Sequence, residues 1–393
     1  MARNHYWRIR DSPNGSYPVQ RGFDKYYGCL HGGGSYYKPS PVYNNLEKVT
    51  DLPDDYYTQA ITDSAVSYVQ AHDTRKPMFL YVAHYAPHPP LQAPAEYVKR
   101  CIDRYKVGYD VLRKQRFEKQ KRIGLIPDNM ELPAFNKEFG GKRPAWEELT
   151  PEQQNKWIKD MATYAAMIEI MDEGIGKLVE EIKKKGMYEN TVFLFLSDNG
   201  ATSEGGFIGQ LMSDLSNTPY RSYKKWVFQG GTSTPFILTY GDKKKNIKKG
   251  EICRQPAHII DIMPTCMALG KIEYPKTFSH SDLPGTSLLP FLKGQPIKPR
   301  TLYFEHQSSC AIIDANWKLV RADRNSQWEL INLTIDPFET NNLAEKYPEK
   351  VDELESKWIN WANTHKVFPL EDKAWTERIN FYQKKNPDQR GED

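Results

Sequence analysis

The sequence predicts an α/β chain with a small antiparallel sheet near its C-terminal end. Three observations carry this. Val192 to Leu196 is an apolar run too short for a globular helix and rich in β-formers, so it reads as a strand buried on both faces. Upstream, Trp157, Met161, Tyr164, Ile168, Met171, Ile175, Leu178 and Ile182 recur at steps of three and four, the spacing of a long amphipathic helix. From about Thr301 the pattern changes to short alternating segments between turn residues, which suggests hairpin-linked strands. A helix feeding a buried strand is the α/β rhythm. The expected architecture is a central, mostly parallel sheet flanked by helices over residues 1–298, followed by an α+β subdomain over residues 299–393.

Composition narrows the class. The longest apolar runs are strand-length, so no membrane span is expected. A net charge of +4, from 54 basic and 50 acidic residues, is too small to argue for nucleic acid. The basic runs 183–185 and 243–249 lie beside expected turns and read as solvated surface. Cys29, Cys101, Cys253, Cys266 and Cys310 form no close pair with metal or redox spacing. No apolar h-region opens the chain, so no signal peptide is read in it. Nothing in the sequence indicates an oligomeric state.

In chain order, residues 1–50 read as loop with short strands, with a His31-Gly32-Gly33-Gly34 turn inside them. No Gly-Lys-Ser/Thr follows the glycines, which excludes a phosphate loop of that type. Asp54 or Asp55 is placed to cap a helix that runs to about Gln70. Residues 78–83 form a second apolar run, expected as a buried strand. His84 and His88 follow it among Pro87, Pro89 and Pro90, so His88 is expected on a stiff, extended loop as a candidate for chemistry. Residues 95–149 read as a charged insertion with a basic helical patch at 113–122. Thr150-Pro151-Glu152-Gln153 then starts the long helix, and Gly186 stops it.

The chemistry changes abruptly after Leu196. Ser197, Asp198 and Asn199 place a hydroxyl, a carboxylate and a carboxamide at a strand's carboxyl end, where parallel α/β sheets bind ligands. Asp and Asn supply the hard oxygen donors that hold Ca²⁺ or Mg²⁺. Asp-Asn-Gly is equally good turn chemistry, so both readings stand. The loop to Gln229 carries Asn217, Pro219, Arg221, Lys224 and Lys225; Lys224 reads as a ligand for a sulfate or phosphate oxygen or as a surface lysine. Asp261 is expected as a structural helix cap. A last amphipathic helix carries Val351, Leu354, Trp358 and Trp361.

Taken in order, these stretches resemble the type I, formylglycine-dependent sulfatases of the alkaline-phosphatase-like fold, especially the bacterial arylsulfatases. The resemblance rests on Arg21-Gly-Phe-Asp-Lys-Tyr-Tyr-Gly28, Ala86-Pro-His-Pro-Pro-Leu-Gln-Ala-Pro94, Tyr164-Ala-Ala-Met-Ile-Glu169 and Ser197-Asp-Asn-Gly200. It continues through Asn217 to Gly231, Asp261-Ile-Met-Pro-Thr265, and Trp317-Lys-Leu-Val-Arg321 with Trp328-Glu-Leu-Ile-Asn-Leu333. It implies a sulfuric ester hydrolase acting on an aryl or carbohydrate sulfate, with Asp198 and Asn199 as ligands of one divalent metal, Ca²⁺ with Mg²⁺ as the alternative. His88 then contacts the ester's leaving oxygen, and Lys224 binds a sulfate oxygen. Arg3 and His5 match a further family stretch, as substrate-binding and catalytic residues, and His306 is placed at the substrate. Gln229 stands where the family usually has Glu. Partners implied are a sulfated small molecule or glycan, and the location periplasmic or secreted.

One departure is large. The family's Cys/Ser-x-Pro/Ala-x-Arg, whose first residue becomes formylglycine, is absent from this sequence, and the chain is expected to start after it and after the paired aspartates that precede it in the family. A covalent mechanism needs its nucleophile. The expectation is therefore little or no turnover by this chain. Two alternatives follow: a non-catalytic paralogue that binds sulfated glycan, and a phosphodiesterase of the same superfold.

Overall fold

The computed structural model describes residues 15–30, 34–39, 41–51, 56–134, 143–241, 250–274 and 284–370. Arg3 and His5 lie outside them, as do His31, Asp54, Asp55 and the basic run 243–249. In chain order the elements are β1 (Tyr27–Cys29), β2 (Val42–Asn44), β3 (Glu47–Lys48), α1 (Tyr57–Ala71), α2 (Ala95–Tyr105), α3 (Tyr109–Arg122), α4 (Pro151–Lys184) and β4 (Val192–Leu196). Then come α5 (Gly206–Asn217), the one-turn α6 (Gln229–Thr232), β5 (Phe236–Tyr240), α7 (Ile262–Gly270) and the one-turn α8 (Leu289–Leu292). The chain finishes with β6 (Leu302–His306), β7 (Ser309–Asp314), β8 (Trp317–Arg321), β9 (Glu329–Asn332) and α9 (Pro348–Thr364). Packing groups them into two compact units: residues 1–107, 151–186 and 373–393, and residues 108–150 and 187–372. The sequence-pattern change near Thr301 falls inside the second unit.

In the first unit α4 is the spine, with α1 and α2 packed along it. Of the expected stripe Trp157, Met161 and Ile182 are buried, but Ile168 is 38% exposed. The middle of the buried row runs instead through Ala166, Met167, Ile170 and Gly174, because packing against α1 and α2 selects that face. Gly174 faces α1; a Cβ there would overlap the Thr62 hydroxyl, so glycine sets how closely the two helices meet. β1, β2 and β3 form a short antiparallel meander. Residues 78–83 depart from expectation. They join no ladder among the described residues, and Phe79 and Tyr81 are 64% and 71% exposed. An apolar run becomes a buried strand only where a partner strand and a covering layer meet it, and its own sequence does not report either.

In the second unit β4 pairs with β5 antiparallel, from Val192 opposite Tyr240 to Leu196 opposite Phe236. This pair corrects the expectation of parallel neighbours at this point, and no parallel ladder occurs among the described residues. Phe195 and Ile237 are 41% and 56% exposed, so β4 is not buried on both faces. The expected insertion at 95–149 is also not one body. α2 packs on α4 in the first unit, whereas α3 packs on α5 in the second.

The C-terminal sheet is an antiparallel meander, β6-β7-β8-β9, as its alternation predicts. Cys310, Ile312, Leu319 and Leu330 face α9 through Leu354, Trp358 and Ala362. Their neighbours Ala311, Val320 and Ile331 face the other way, onto Val227 and Phe228. That second face seats the loop carrying Lys224.

Candidate sulfate-binding site

β4 ends at Leu196 and the chain turns at once, laced on both sides by residues 217–235. The Ser197 N–H donates to the Pro235 carbonyl at 3.2 Å, and the Thr234 hydroxyl donates to the Ser197 carbonyl at 2.9 Å. The Gly200 N–H donates to the Gly231 carbonyl at 3.1 Å. A Cβ at Gly200 would overlap the Gly230 carbonyl, so this junction demands glycine. The Asn217 carboxamide oxygen accepts from the Ala201 N–H at 3.1 Å, and the Lys224 N–H donates to the Ala201 carbonyl at 2.9 Å. Lys224 is thereby fixed to the same loop cluster as Asp198 and Asn199.

The turn reading and the ligand reading of residues 197–200 divide between atoms. The Ser197 hydroxyl donates to the Asn199 carbonyl at 2.9 Å, and Asn199 Nδ2 donates to the Gly200 carbonyl at 3.1 Å. These are local turn bonds. The exposed Asp198 carboxylate and Asn199 Oδ1 make no such bond among the described residues. They fit as two oxygen donors to a hard cation, and the described residues bring no group of three His, Cys, Asp or Glu together to complete a shell.

The seat beneath the loop went unread in the sequence. Lys318 Nζ and Glu339 Oε1 lie 2.7 Å apart with both side chains fully buried. Lys318 also donates to Gln229 Oε1 at 3.2 Å, and the Gln229 N–H donates to Glu339 Oε2 at 2.6 Å. Burial pushes the lysine down and the glutamate up, and each partner offsets the other's shift. Gln229 is thus a neutral acceptor in a lysine shell that already holds a carboxylate. Arg221 clasps Glu329 through two bonds of 2.7 and 3.0 Å and stacks over Phe228 at 4.0 Å. The available signal was Lys318 itself, a charge on the same strand face as Val320.

His306 ends β6 at the rim of this seat. Its Nδ1 bonds the Lys225 carbonyl at 2.9 Å, and Gln307 and Ser308 turn the hairpin with φ of 49° and 65°. Asp261 is structural, as expected, but not by capping α7. Burial works to raise its carboxyl, and the bonds from Arg300, Thr286 and His258 outweigh this and hold it low.

His88 belongs to the first unit. Its loop is a turn rather than an extended segment: the His88 N–H donates to the Tyr85 carbonyl at 2.8 Å. The buried Tyr36 hydroxyl lies 2.8 Å from the His88 carbonyl and 3.0 Å from that of Tyr85. Tyr56 donates to the Gln92 carbonyl at 2.7 Å, closing the far end of the loop. His88 Nδ1 sits 2.8 Å from the Pro89 carbonyl, which can only accept, so this nitrogen carries the N–H.

This order of elements and this junction match a known family. The profile described as Sulfatase matches residues 4–272, well over half of the chain. The chain belongs to the sulfatase family. A second profile, N-sulphoglucosamine sulphohydrolase C-terminal, matches residues 220–364, which hold the Lys224 loop and its seat. An uncharacterized sulfatase of Schizosaccharomyces pombe is 28% identical over 431 residues, covering 96% of this sulfatase and 76% of the relative. The arylsulfatase of Klebsiella aerogenes is 31% identical over 312 residues, covering 70% and 65%. Among solved structures, Ps i-CgsB in complex with k-i-k-neocarrahexaose has a TM-score of 0.67 at 24% identity, covering 96% of this chain and 75% of that one. BT4656 in complex with its substrate D-glucosamine-2-N,6-O-disulfate has a TM-score of 0.62 at 20% identity, covering 90% and 78%. At these identities the structures speak for the fold, which is the alkaline-phosphatase-like sulfatase fold with a small C-terminal antiparallel sheet. No helix among the described residues is long and apolar enough to cross a membrane.

Proposed function

We propose that this sulfatase recognises the sulfate ester of an aryl or carbohydrate ligand at the end of β4. The observation that carries the reading is the lacing of Lys224 to Ala201. It ties the Lys224 backbone to the loop that carries two hard oxygen donors at a strand's carboxyl end. Lys224 holds a sulfate oxygen by a charge-assisted bond. By the family resemblance, His88 serves the leaving ester oxygen. Asp198 and Asn199 would hold Ca²⁺, whose charge would stabilise the negative sulfate oxygens when bound. Arg3, His5 and His306 complete the proposed set, with His306 at the substrate rim. The sulfated-glycan ligands of the solved relatives support the ligand class. The site's location outside the cytoplasm, periplasmic or secreted, belongs to the same reading.

These 393 residues contain no Cys/Ser-x-Pro/Ala-x-Arg, so the proposed activity of this chain alone is binding with little turnover. The test is equilibrium binding of 4-nitrophenyl sulfate with nitrophenol release followed in the same samples. Lys224→Ala and His88→Ala are expected to weaken binding about tenfold each, the value of one lost charge-assisted contact. Binding unchanged in both variants would overturn the reading.

A further inference from the structure

Among the described helices α3 carries the largest surplus of charge. It carries Arg113, Lys114, Arg116, Lys119, Lys121 and Arg122 against Asp110 and Glu118, a net +4 in one helix. The whole chain nets +4, so everything else is balanced. Arg113 is turned inward, 3.6 Å from the buried Asp214 carboxylate. Lys114, Lys119 and Arg122 are exposed, and Lys121 is half-buried over the Phe117 ring at 4.9 Å. None of these four has an ion-pair partner among the described residues.

Other helices pair some of their lysines. Lys183 of α4 pairs with Glu180 at 2.6 Å, and Lys357 of α9 pairs with Glu353 and Asp314, each at 2.7 Å. The helix dipole does not account for the surplus, because it is equivalent to about half a charge. Arg254 already donates to the Gly124 and Leu125 carbonyls just beyond the C-terminal end of α3, at 2.8 and 3.2 Å.

The basic face is also tied to the site. Arg116 donates to the Ser216 and Thr218 carbonyls at 2.9 and 3.4 Å, and Gln120 donates to Thr218 at 3.0 Å. These bonds flank Asn217, which holds Ala201. Exposed aromatic rings, which single-stranded nucleic acid needs for base stacking, are absent from this helix.

We propose that the exposed face of α3 binds the anionic run of a polysulfated glycan that has one of its sulfate esters in the Lys224 site. The proposal rests on the sulfated-ligand reading of that site. A heparin decasaccharide is the probe, titrated into the full chain at several NaCl concentrations. Lys114→Gln/Lys119→Gln/Arg122→Gln should weaken binding at least tenfold at low salt. It should also lower the slope of log K against log salt by about 2 to 3, each of the three lost cations contributing about 0.7–0.9. Lys183→Gln/Lys184→Gln should stay within twofold of the parent, and single-stranded RNA of equal charge should bind at least tenfold more weakly than heparin. Unchanged affinity in the triple variant, or RNA bound as tightly as heparin, overturns the proposal. The parent site is read separately: if Lys224→Ala leaves 4-nitrophenyl sulfate binding unchanged while the triple variant loses heparin, the sulfate site fails and the α3 surface stands.

Discussion

The Lys318 ammonium and the Glu339 carboxylate meet at 2.7 Å with no solvent at either group. Removing one partner strands the other charge in the protein interior. Glu339→Gln should therefore cost about 3–5 kcal/mol of folding stability. Lys318→Met/Glu339→Leu should cost less than that single change, since no charge stays buried. Urea unfolding of the three proteins checks the order; a double variant less stable than Glu339→Gln contradicts it.

Tyr36 is a positioning residue for His88. Tyr36→Phe keeps the ring stacked 5.5 Å from Tyr56 and removes only the hydroxyl that holds the Tyr85 and His88 carbonyls. The expected loss is about 1–2 kcal/mol, the cost of an unmet buried acceptor. Amide exchange at His88 should quicken in step, while amides in the middle of α4 change only by the global shift. Unchanged exchange at His88 would show that the hydroxyl does not hold the loop.

Gly174 offers a packing test remote from the site. Gly174→Val drives two methyl groups toward Thr62 on α1. Overpacking of this kind typically costs about 1–3 kcal/mol. Pairing it with Thr62→Ala should recover part of the loss, which thermal unfolding of the single and double variants measures.

His84 gives a pH signature. Its Nδ1 is buried without a hydrogen-bond partner among the described residues, and burial lowers the ring from 6.5 to about 4. Between these values the unfolded chain binds more protons than the folded one, so stability rises with pH across that window. The contribution is fully present above about 6.5 and is lost as pH falls toward about 4, amounting to at most about 3 kcal/mol. His84→Phe should flatten the dependence of urea midpoints between those pH values; an unaltered slope assigns it elsewhere.

What the sequence disclosed follows from how local each signal is. α4 and the C-terminal meander were legible because their periodicities, near 3.6 and 2, are written along one segment. Residues 78–83 and β4 have the same apolar content, yet only β4 pairs, because pairing is decided by residues far along the chain. Asp198, Asn199 and Lys224 were singled out by the resemblance alone. Tyr36, Lys318 and Glu339 were not, since each acts on a loop dozens of residues away. Lys318 interrupts an inward-facing apolar row, and such a break is the trace a buried lock leaves in sequence.

The distances along the chain also set a timetable. Each strand of the C-terminal sheet bonds the next one in sequence, so its hairpins need only short loop closures and form in microseconds. Gln229 must wait for Lys318, 89 residues later, and Glu339, 110 residues later. A ribosome adding about 5–20 residues per second leaves the Lys224 loop without its seat for roughly 5 to 20 s. Nascent chains halted before residue 339 should therefore expose residues 221–231 to protease, and chains released beyond the meander should protect them.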